Sequence, residues 1–364
     1  MSEKVAVIAS VLKPVDDTRM FEKLGLSIRE SKKYRVNIIG FGVKNTPVQN
    51  GITFHTLYQG KRVSLGRLLV PVKFLVKLFR IKPELTIVCT PELLLPAVTY
   101  KIIHKSKLWY DVQENYRLNV KHQDAYLGIL KPLLNLVIWL TETFSSLFVD
   151  QFLLAERGYA KELSFLDGQQ LILENKFVGI KPLSRTSPAI ETKMIFSGTC
   201  SKENGILEAI SFVTTLNQCG YKVHLIIAGQ VPDPQLLKFI ENLVKEHHYI
   251  SLIGGSTLLP HSTIMDLAAQ ADFGLVAHQP NPSTENCIPT KVYEYLGLGL
   301  PIILQQHPYW ESIVAPYQAA VVLDYQNFDP KRVWSQLQNT KFYTNKPGAE
   351  ITWEEEAQKL LAQL

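Results

Sequence analysis

Short apolar runs alternate with longer segments of helical spacing along the whole chain of 364 residues. In the first half, β-branched runs of strand length are bounded by turn residues and predict strands. These runs lie at 4–10, 34–41, 85–90, 107–112 and 150–155. Between them, apolar residues recur with a helical period, which predicts helices at 18–31, 65–79, 92–104 and 130–148.

Residues 178–190 contain two prolines and no periodicity, which indicates a linker. The alternation then restarts, with predicted strands at 193–198, 222–229, 249–255, 272–278, 300–304 and 319–324. Predicted helices fall between them at 203–218, 233–247, 262–271 and 291–298. Near-continuous apolar strands separated by helices are typical of parallel sheets buried on both faces. We therefore expect an α/β chain of two tandem doubly wound, Rossmann-like domains.

The composition, 46% apolar and 20% charged, is that of an ordinary globular protein. The four cysteines are scattered and never form a C-x-x-C pair, which fits a reducing compartment and favours neither disulfides nor a zinc site.

The apolar run after MSEK is too short for a signal peptide core. The apolar segment 133–148 is interrupted by Asn135 and Glu142, so we expect a buried or interfacial helix rather than a span. A cytoplasmic protein is expected.

Charge is distributed unevenly between the two halves. Residues 1–180 hold 25 Lys and Arg against 16 Asp and Glu, whereas the remainder has a net charge of −4. Segment 61–82 holds seven cations and no acid, with Leu65, Val72 and Phe79 on one stripe and Lys73 and Lys77 on another. This pattern predicts an amphipathic helix that lies on an anionic membrane. The alternative is a helix packed on the sheet with a solvated cationic face.

Candidate chemistry lies after the strands, because ligands of doubly wound domains bind beyond the carboxyl ends of their strands. The segment STENCIPTKVYEYLGLGLP, residues 283–301, follows one of these strands. In it, Pro289 and Thr290 predict the start of a helix, with Thr290 as the cap. Lys291 and free backbone N–H groups at this start would favour a phosphate. Glu294, one turn further on, would accept hydrogen bonds from ribose hydroxyls; the alternative is a surface ion pair between Lys291 and Glu294.

The segment PTKVYEYLGLGLPII resembles the signature helix of retaining nucleotide-sugar glycosyltransferases of the GT-B fold. It is similar in particular to the large bacterial group related to sucrose synthase and phosphatidylinositol mannosyltransferase. Other segments resemble this group in order and spacing: VDDTRMFEKL, LWYDVQENY, MIFSGTCSKENGILEAI, HLIIAGQ, ISLIGG and ITWEEEAQKLLAQL. The resemblance implies an acceptor-binding domain at 1–178 and a nucleotide-sugar-binding domain at 190–345, facing a cleft. It also implies a closing helix at 346–364 that packs back on the first domain.

The same resemblance assigns roles to residues of the donor domain. It implies that Lys291 and Lys202 meet the donor diphosphate and that Glu294 holds the ribose; for Lys202 the alternative is a solvated loop lysine. The other expected donor contacts are Gly198, Thr199, Gly229, Gly254, Pro289 and Thr290.

Three positions depart from the pattern of that group. Asn286 stands near the place of a glutamate, Thr199 of an arginine and Gln113 of a histidine beside the reacting sugar. Gln113 cannot act as a general base. Retaining transfer remains feasible, because the leaving phosphate can take the acceptor proton. The expected catalytic residues are Gln113 and Asn286 on the sugar and Glu114 near the acceptor.

Three carboxylates of the first half have structural alternatives. We expect one of Asp16 and Asp17 to cap the following helix and the other, with Arg19, to face the cleft. Asp111 is expected to end its strand structurally rather than to react. No D-x-D, G-x-S-x-G or G-x(4)-G-K-[ST] pattern occurs. We therefore expect no essential metal or cofactor and neither P-loop nor serine-hydrolase chemistry.

The expected function is a hexosyltransferase with a UDP-sugar donor, resembling UDP-glucose, and a polysaccharide or lipid-linked acceptor. This assigns it to polysaccharide or exopolysaccharide biosynthesis, in the cytoplasm or peripherally on the plasma membrane. Nucleic acid is not an expected partner, because aromatic residues do not interleave with the basic ones. Two alternatives stay open: a non-catalytic scaffold subunit of a membrane assembly, and a sugar-nucleotide epimerase on the same fold.

Overall fold

The computed structural model describes residues 3–43, 46–58, 69–122, 128–166, 168–179, 191–279 and 285–364. The chain divides into two compact units. Unit 1 comprises Met1–Val178, Glu285–Cys287 and Trp353–Leu364, and unit 2 comprises Gly179–Thr284 and Ile288–Thr352. Apart from its first two residues, the predicted linker 178–190 lies outside the described residues.

Unit 1 contains a parallel sheet of seven strands in the order β3-β2-β1-β4-β5-β6-β7. The strand order changes direction beside β1, which places the carboxyl ends of β1 and β4 at a topological switch point, the usual ligand position in such sheets. The strands are β1 (Lys4–Pro14), β2 (Tyr34–Phe41), β3 (Ile52–Tyr58), β4 (Leu85–Val88), β5 (Lys107–Val112), β6 (Gln151–Leu154) and β7 (Gln170–Ile172).

Helices cover both faces of this sheet, as the apolar strands predicted. One core contains Met20 and Ile28, and the other contains Phe74, Ala97 and Phe152. A π-helix at Thr18–Gly25 leads into the first α-helix. The α-helices of this part are α1 (Leu26–Glu30), α2 (Val70–Ile81), α3 (Leu94–His104), α4 (Tyr116–His122), α5 (Lys131–Ser146) and α6 (Tyr159–Glu162).

Unit 2 contains a parallel sheet of six strands in the order β10-β9-β8-β11-β12-β13. The strands are β8 (Thr192–Ser197), β9 (Val223–Gln230), β10 (Ile250–Gly255), β11 (Phe273–Val276), β12 (Ile302–Gln305) and β13 (Ala320–Leu323). The helices are α7 (Ile206–Gln218), α8 (Pro234–Glu246), α9 (His261–Ala269), α10 (Thr290–Leu298), α11 (Pro308–Val314) and α12 (Pro330–Asn339). The switch point lies between β8 and β11.

The last helix, α13 (Trp353–Leu361), belongs to unit 1. The Trp353 backbone N–H donates to the Phe177 carbonyl at 2.7 Å, and the indole N–H donates to Ser27 Oγ at 2.9 Å. Lys176 Nζ lies 2.8 Å from Glu356 Oε1, and both side chains are buried. The chain therefore returns to its first sheet after it has built its second.

The predicted class, two doubly wound α/β domains, is confirmed. The prediction omitted β3 and β7, which are the edge strands of their sheet, and it omitted the helices α4, α6, α11 and α12. Edge strands bury less of their surface and carry more polar residues, so their apolar signal is weak. In α12, only Val333 and Leu337 are buried, which gives a short apolar pattern.

Helix α2 packs on the sheet through a different stripe from the predicted one. Its buried residues are Val70, Phe74 and Leu78, whereas Val72 and Phe79 of the predicted stripe are exposed. The segment is apolar on two faces, and only the packing decides which face turns inward. Residues 61–68 of the predicted amphipathic segment lie outside the described residues. Across the described part of the chain, no helix combines the length and apolarity that a bilayer span requires.

Candidate donor and acceptor sites

Three glycines, which have no side chains, lie next to one another at the carboxyl ends of β8, β9 and β10. Gly229 and Gly254 have φ of +153° and +102°, and Gly198 has φ of +90°. A Cβ on Gly229 would lie 1.7 Å from the Gly198 carbonyl oxygen, and a Cβ on Gly254 would lie 2.6 Å from the Gly229 oxygen. The three strand ends therefore contact one another directly, and only glycine fits at the second and third. A ligand at this edge would meet the peptide groups of Gly198 and Gly254, which are half-buried, whereas Gly229 is buried.

The loop after β8 is held by its own polar groups. Asn204 Nδ2 donates to the Thr199 carbonyl at 2.7 Å, and the Gly205 N–H donates to the Lys202 carbonyl at 2.9 Å. Lys202 is exposed in this turn, which fits both a phosphate contact and a solvated lysine. The loop leads into α7, whose N-terminus provides free backbone N–H groups.

Lys291 is buried in the first turn of α10, with 6% of its surface exposed. Its Nζ lies 4.1 Å from the centre of the Phe196 ring and has no hydrogen-bond partner among the described residues. Burial lowers the pKa of Lys291 to about 8, although Cys200 and Glu294 act in the opposite direction. The alternative of a surface ion pair with Glu294 is wrong. A buried cation without an anion is costly, which is typical of a site that awaits one.

The cap prediction for α10 is also wrong. Pro289 occupies the N-cap position without a side-chain cap, and Thr290 is the first helical residue. The reason is that Pro289 has the extended ψ of an N-cap residue, 124°, and Thr290 already has helical geometry. The first turn of a helix directs its backbone N–H groups and the positive end of the helix dipole outward, which favours an anion beside Lys291.

Glu294 is directed to a partner that the sequence did not identify. Its Oε1 lies 3.2 Å from Nε2 of His261, the first residue of α9. The Glu294 side chain is 17% exposed, so one side of the carboxylate remains accessible. The position of His261 in the sequence could have identified it, because it follows Gly254 and Gly255 at the carboxyl end of β10.

Two further histidines stand at the carboxyl ends of β11 and β12. The His307 ring stacks on Trp310 at 4.1 Å, and the His278 ring meets the same indole edge-on at 6.2 Å. Burial and, secondly, the charge of Lys291 lower the pKa of His278 well below its usual value. A neutral imidazole therefore shares the environment of Lys291, since a second positive charge there would be unfavourable.

In unit 1, Gln113 belongs to a buried polar cluster at the end of β5. Arg19 and Asp111 form a buried ion pair with Nη2 and Oδ1 2.6 Å apart, and Gln113 Nε2 donates to Asp111 Oδ2 at 2.8 Å. Arg19 also donates to the Leu173 carbonyl at 2.8 Å. Arg19 is therefore buried and structural, rather than exposed for a ligand. Asp17 caps the π-helix by accepting from the Arg19 and Met20 N–H groups, as expected for one of the two aspartates.

Glu114 and Asn286 lie close to this cluster. Glu114 Oε1 is 3.2 Å from Lys13 Nζ, and Asn286 Nδ2 donates to Glu162 Oε1 at 2.8 Å. Glu162 also accepts from Asn115 Nδ2 at 3.2 Å. Asn286 was expected within the donor domain, yet its segment Glu285–Cys287 belongs to unit 1.

Tyr159 connects the two segments that carry Gln113 and Asn286. Its hydroxyl donates to the Gln113 carbonyl at 3.3 Å and lies 3.4 Å from Cys287 Sγ. Sequence reasoning missed Tyr159 and Glu162, because their segment carries no pattern besides a short helix. Within the described ranges, no three His, Cys, Asp or Glu side chains form a group that could hold a metal ion.

Comparison with known proteins gives matches in structure alone. No protein-family model matches the sequence, and no curated protein matches it. Sucrose-phosphate synthase from Thermosynechococcus elongatus superposes with a TM-score of 0.69 at 14% identity, over 99% of this chain and 98% of that one. HepE of Anabaena in complex with UDP and glucose gives 0.63 at 15% identity, over 99% and 95%.

This chain has the GT-B fold. A glycosyltransferase from Rickettsia africae also shares it, with a TM-score of 0.59 at 9% identity over 100% of this chain and 94% of that one. At these identities the likeness concerns the fold only. In this GT-B chain the glycine edge, Lys291 and Glu294 belong to unit 2, whereas Gln113, Glu114 and Asn286 belong to unit 1.

Proposed function

We propose that this chain is a glycosyltransferase that moves a hexose from a UDP-sugar, resembling UDP-glucose, to a polysaccharide or lipid-linked acceptor. The observation that carries the proposal is Lys291, a buried ammonium in the first turn of α10 that has no hydrogen-bond partner among the described residues. A diphosphate would supply the missing anion, and the helix dipole would add to its binding. HepE of Anabaena, which shares the fold, has been crystallised with UDP-glucose.

The pyrophosphate and the ribose of the donor each have matching groups in unit 2. The pyrophosphate would contact Lys291, the N–H groups at the start of α10 and the peptide groups of Gly198 and Gly254, with Gly229 packed between them. Glu294, held by His261 on one side, would accept hydrogen bonds from the ribose hydroxyls. Lys202 and Thr199 lie on the loop after β8 and complete the proposed diphosphate site.

The proposed chemistry needs no ionisable side chain at the acceptor hydroxyl. The bond from the sugar anomeric carbon to the diphosphate oxygen breaks, a bond from that carbon to the acceptor oxygen forms, and the acceptor proton passes to the leaving phosphate. Lys291 stabilises the charge that develops on the leaving group. The proposed transfer retains the configuration at the anomeric carbon and needs no metal ion. The proposal also includes the narrower relationship of this chain to the group of sucrose synthase and phosphatidylinositol mannosyltransferase.

The test is release of nucleotide from UDP-, GDP- and ADP-sugars with EDTA present, together with calorimetry of UDP binding. Lys291→Ala and Glu294→Ala should each weaken UDP binding by about tenfold to a hundredfold, because each loses a hydrogen bond that involves a charge. Lys238→Ala and Glu241→Ala, exposed on α8, are the matched controls and should bind as the wild type does. A wild type that neither binds a nucleotide nor releases one would refute the proposal.

A second candidate is a non-catalytic scaffold subunit of a polysaccharide assembly. The observation that favours it is the internal engagement of two expected sugar contacts: Gln113 donates to Asp111, and Asn286 donates to Glu162. Under this alternative, calorimetry would detect UDP binding, but no sugar nucleotide would be turned over. The epimerase alternative would instead convert the sugar nucleotide without releasing UDP.

A further inference from the structure

Helix α5 has its apolar side turned outward. Its most exposed positions recur at helical spacing and are all large and apolar, with 50% to 72% of their surface accessible. They are Leu133, Leu136, Val137, Leu140, Phe144 and, at the C-cap, Leu147. The buried positions of the same helix are Glu142, Ser145 and Ser146. A helix of a soluble protein normally shows the opposite arrangement.

The neighbouring helices extend this surface. Helix α3 packs against both α2 and α5 on the same face of the sheet. Val72, Val76 and Phe79 of α2 and Leu95 and Ile102 of α3 are also exposed. Of the 21 exposed large apolar residues in the described chain, 16 fall within residues 69–147. We call these five residues and the six of α5 the outer helix face. Apolar residues scattered singly over a surface are normal, but a group of this size marks an interaction surface.

A cationic cavity of about 420 Å³ lies beside the start of α5. Arg117, Lys121 and Lys131 line it, together with the apolar surface of Leu136 and Trp139. Arg117 is oriented, because its Nε donates to Asn135 Oδ1 at 3.0 Å. No carboxylate of the described residues forms an ion pair with any of the three cations. The cavity thus combines charges suited to a phosphate with an indole, a side chain that favours the boundary between apolar and polar phases.

The length of α5 and the net charge of residues 1–180 distinguish among the possible partners of the outer helix face. Helix α5 has 16 residues and spans about 24 Å, less than the hydrocarbon core of about 30 Å, so it can lie in a bilayer but not cross it. A second copy of this chain would bring two positively charged halves together, since residues 1–180 carry 25 Lys and Arg against 16 Asp and Glu. An anionic bilayer offers both the apolar phase and the opposite charge.

We propose that the outer helix face docks on an anionic phospholipid bilayer, with α5 lying along the interface and a lipid phosphate in the cavity of Arg117, Lys121 and Lys131. The inference stands on unit 1 and goes beyond the proposed transfer activity, because it holds whether or not unit 2 binds a nucleotide. It also assigns the main contact to α5 rather than to residues 61–82, of which the α2 part contributes Val72, Val76 and Phe79.

The experiment is flotation of the full chain with vesicles of phosphatidylcholine, with and without phosphatidylglycerol, over a range of salt concentrations. The wild type should bind the anionic vesicles and lose affinity as salt rises. Leu140→Gln with Phe144→Gln should weaken binding about a hundredfold, through lost apolar burial. Lys121→Gln with Lys131→Gln should weaken binding to anionic vesicles about fivefold for each cation removed, and the affinity should then depend less on salt concentration. All four positions are exposed or half-buried, so the fold should be retained.

Matched controls lie in unit 2, on residues of similar type and exposure. Phe239→Gln with Leu258→Gln tests loss of exposed apolar side chains, and Lys238→Gln with Lys245→Gln tests loss of exposed cations. Both controls should bind vesicles as the wild type does. Equal loss in controls and test variants would overturn the proposal, and so would a wild type that ignores anionic vesicles. A dimer in sedimentation that Leu140→Gln with Phe144→Gln dissociates would show instead that a second copy covers this face.

Discussion

Lys291 shows how burial sets the chemistry of a single residue. Its ammonium lies over the Phe196 ring without a counter-ion among the described residues, and its pKa is lowered to about 8. The favourable free energy of folding offsets the cost of desolvating this ammonium, and it does so before any ligand binds. A bound diphosphate would restore the stability of the charged form and raise the pKa again.

This linkage predicts how nucleotide affinity depends on pH. Above about pH 8 the empty site loses the Lys291 proton, so UDP must bind together with a proton and its affinity should fall as pH rises. The phosphates of UDP are already ionised there, since their last pKa is about 6. Calorimetry from pH 7 to 9.5 in buffers of different ionisation enthalpy measures both effects.

Lys291→Met is the control for this dependence. Methionine has no proton to lose, so its UDP affinity should be weaker than that of the wild type and independent of pH in the same range. A wild-type affinity that stays flat up to pH 9.5 would contradict the assignment of Lys291 to the diphosphate.

Glu142 predicts a pH dependence of stability in unit 1. It is buried on α5 and accepts a hydrogen bond from the Tyr110 hydroxyl at 2.8 Å, and burial raises its pKa to about 7. Between about pH 4.5 and 7 the folded chain keeps a proton that the unfolded chain has lost. The free energy of unfolding should therefore fall by up to about 3 kcal/mol as pH rises through this range.

Chemical denaturation of the wild type and Glu142→Gln at several pH values tests this prediction. The variant should lack this part of the pH dependence and be more stable than the wild type at pH 8. Glu246→Gln, exposed at the end of α8, should keep the wild-type profile. If Glu142→Gln retained the full pH dependence, the effect would belong to other groups.

At the scale of elements, strand ends decide the candidate donor site. Gly229 and Gly254 are placed where the carbonyl of the neighbouring strand end leaves no room for a side chain. The sequence identified both as residues that follow apolar strands. It could not show the close approach, because that depends on the register in which Gly254 pairs with Gly229.

Gly254→Ala should therefore destabilise the chain more than its backbone conformation alone requires. Gly168 has nearly the same φ, +106° against +102°, but a Cβ there would have no atom of the described residues within 4 Å apart from its chain neighbours. Both alanine variants are strained by the positive φ, and Gly254→Ala adds overpacking of about 2 kcal/mol. Denaturant unfolding of the two variants measures the difference. Equal losses would mean that the strand ends move apart easily.

Elements differ in how well the sequence predicted them. The bounds of β2 and β5 match the structure, because both are largely buried strands with a neighbour on each side. The edge strands β3 and β7 were missed, since a strand with one neighbour is less buried and less apolar. For α5 the existence was predicted correctly, but its outward apolar stripe became clear only once Glu142, Ser145 and Ser146 were seen to be buried.

At the scale of the whole molecule, unit 1 is completed by the last residues of the chain. The buried Glu356 pairs with Lys176 at 2.8 Å and with Lys359 at 3.0 Å. A buried pair is costly to break from one side, because the remaining charge stays out of water. Unit 1 therefore depends on residues that follow unit 2 in the sequence.

Glu356→Ala should destabilise unit 1 by about 3 kcal/mol and leave the core of unit 2 unchanged. Hydrogen exchange of peptides from β4 and β5, compared with peptides from β9 and β12, measures the two units separately. Glu355→Ala is the control: this residue lies 3.6 Å from Lys176 and is 45% exposed, so its removal should cost less than about 1 kcal/mol. Equal losses in both units would contradict the assignment of α13 to unit 1 alone.

The sequence alone determined the alternation of strands and helices, the doubly wound class and the position of Lys291 at the start of a helix. These follow from local patterns, namely apolar runs, helical spacing and proline. Only the tertiary structure decided that Lys291 is buried without a hydrogen-bond partner among the described residues, that Glu294 meets His261, that Asn286 joins unit 1 and that the apolar side of α5 faces outward. Each of these depends on which surfaces distant segments cover, and burial between distant segments leaves no local pattern in the sequence.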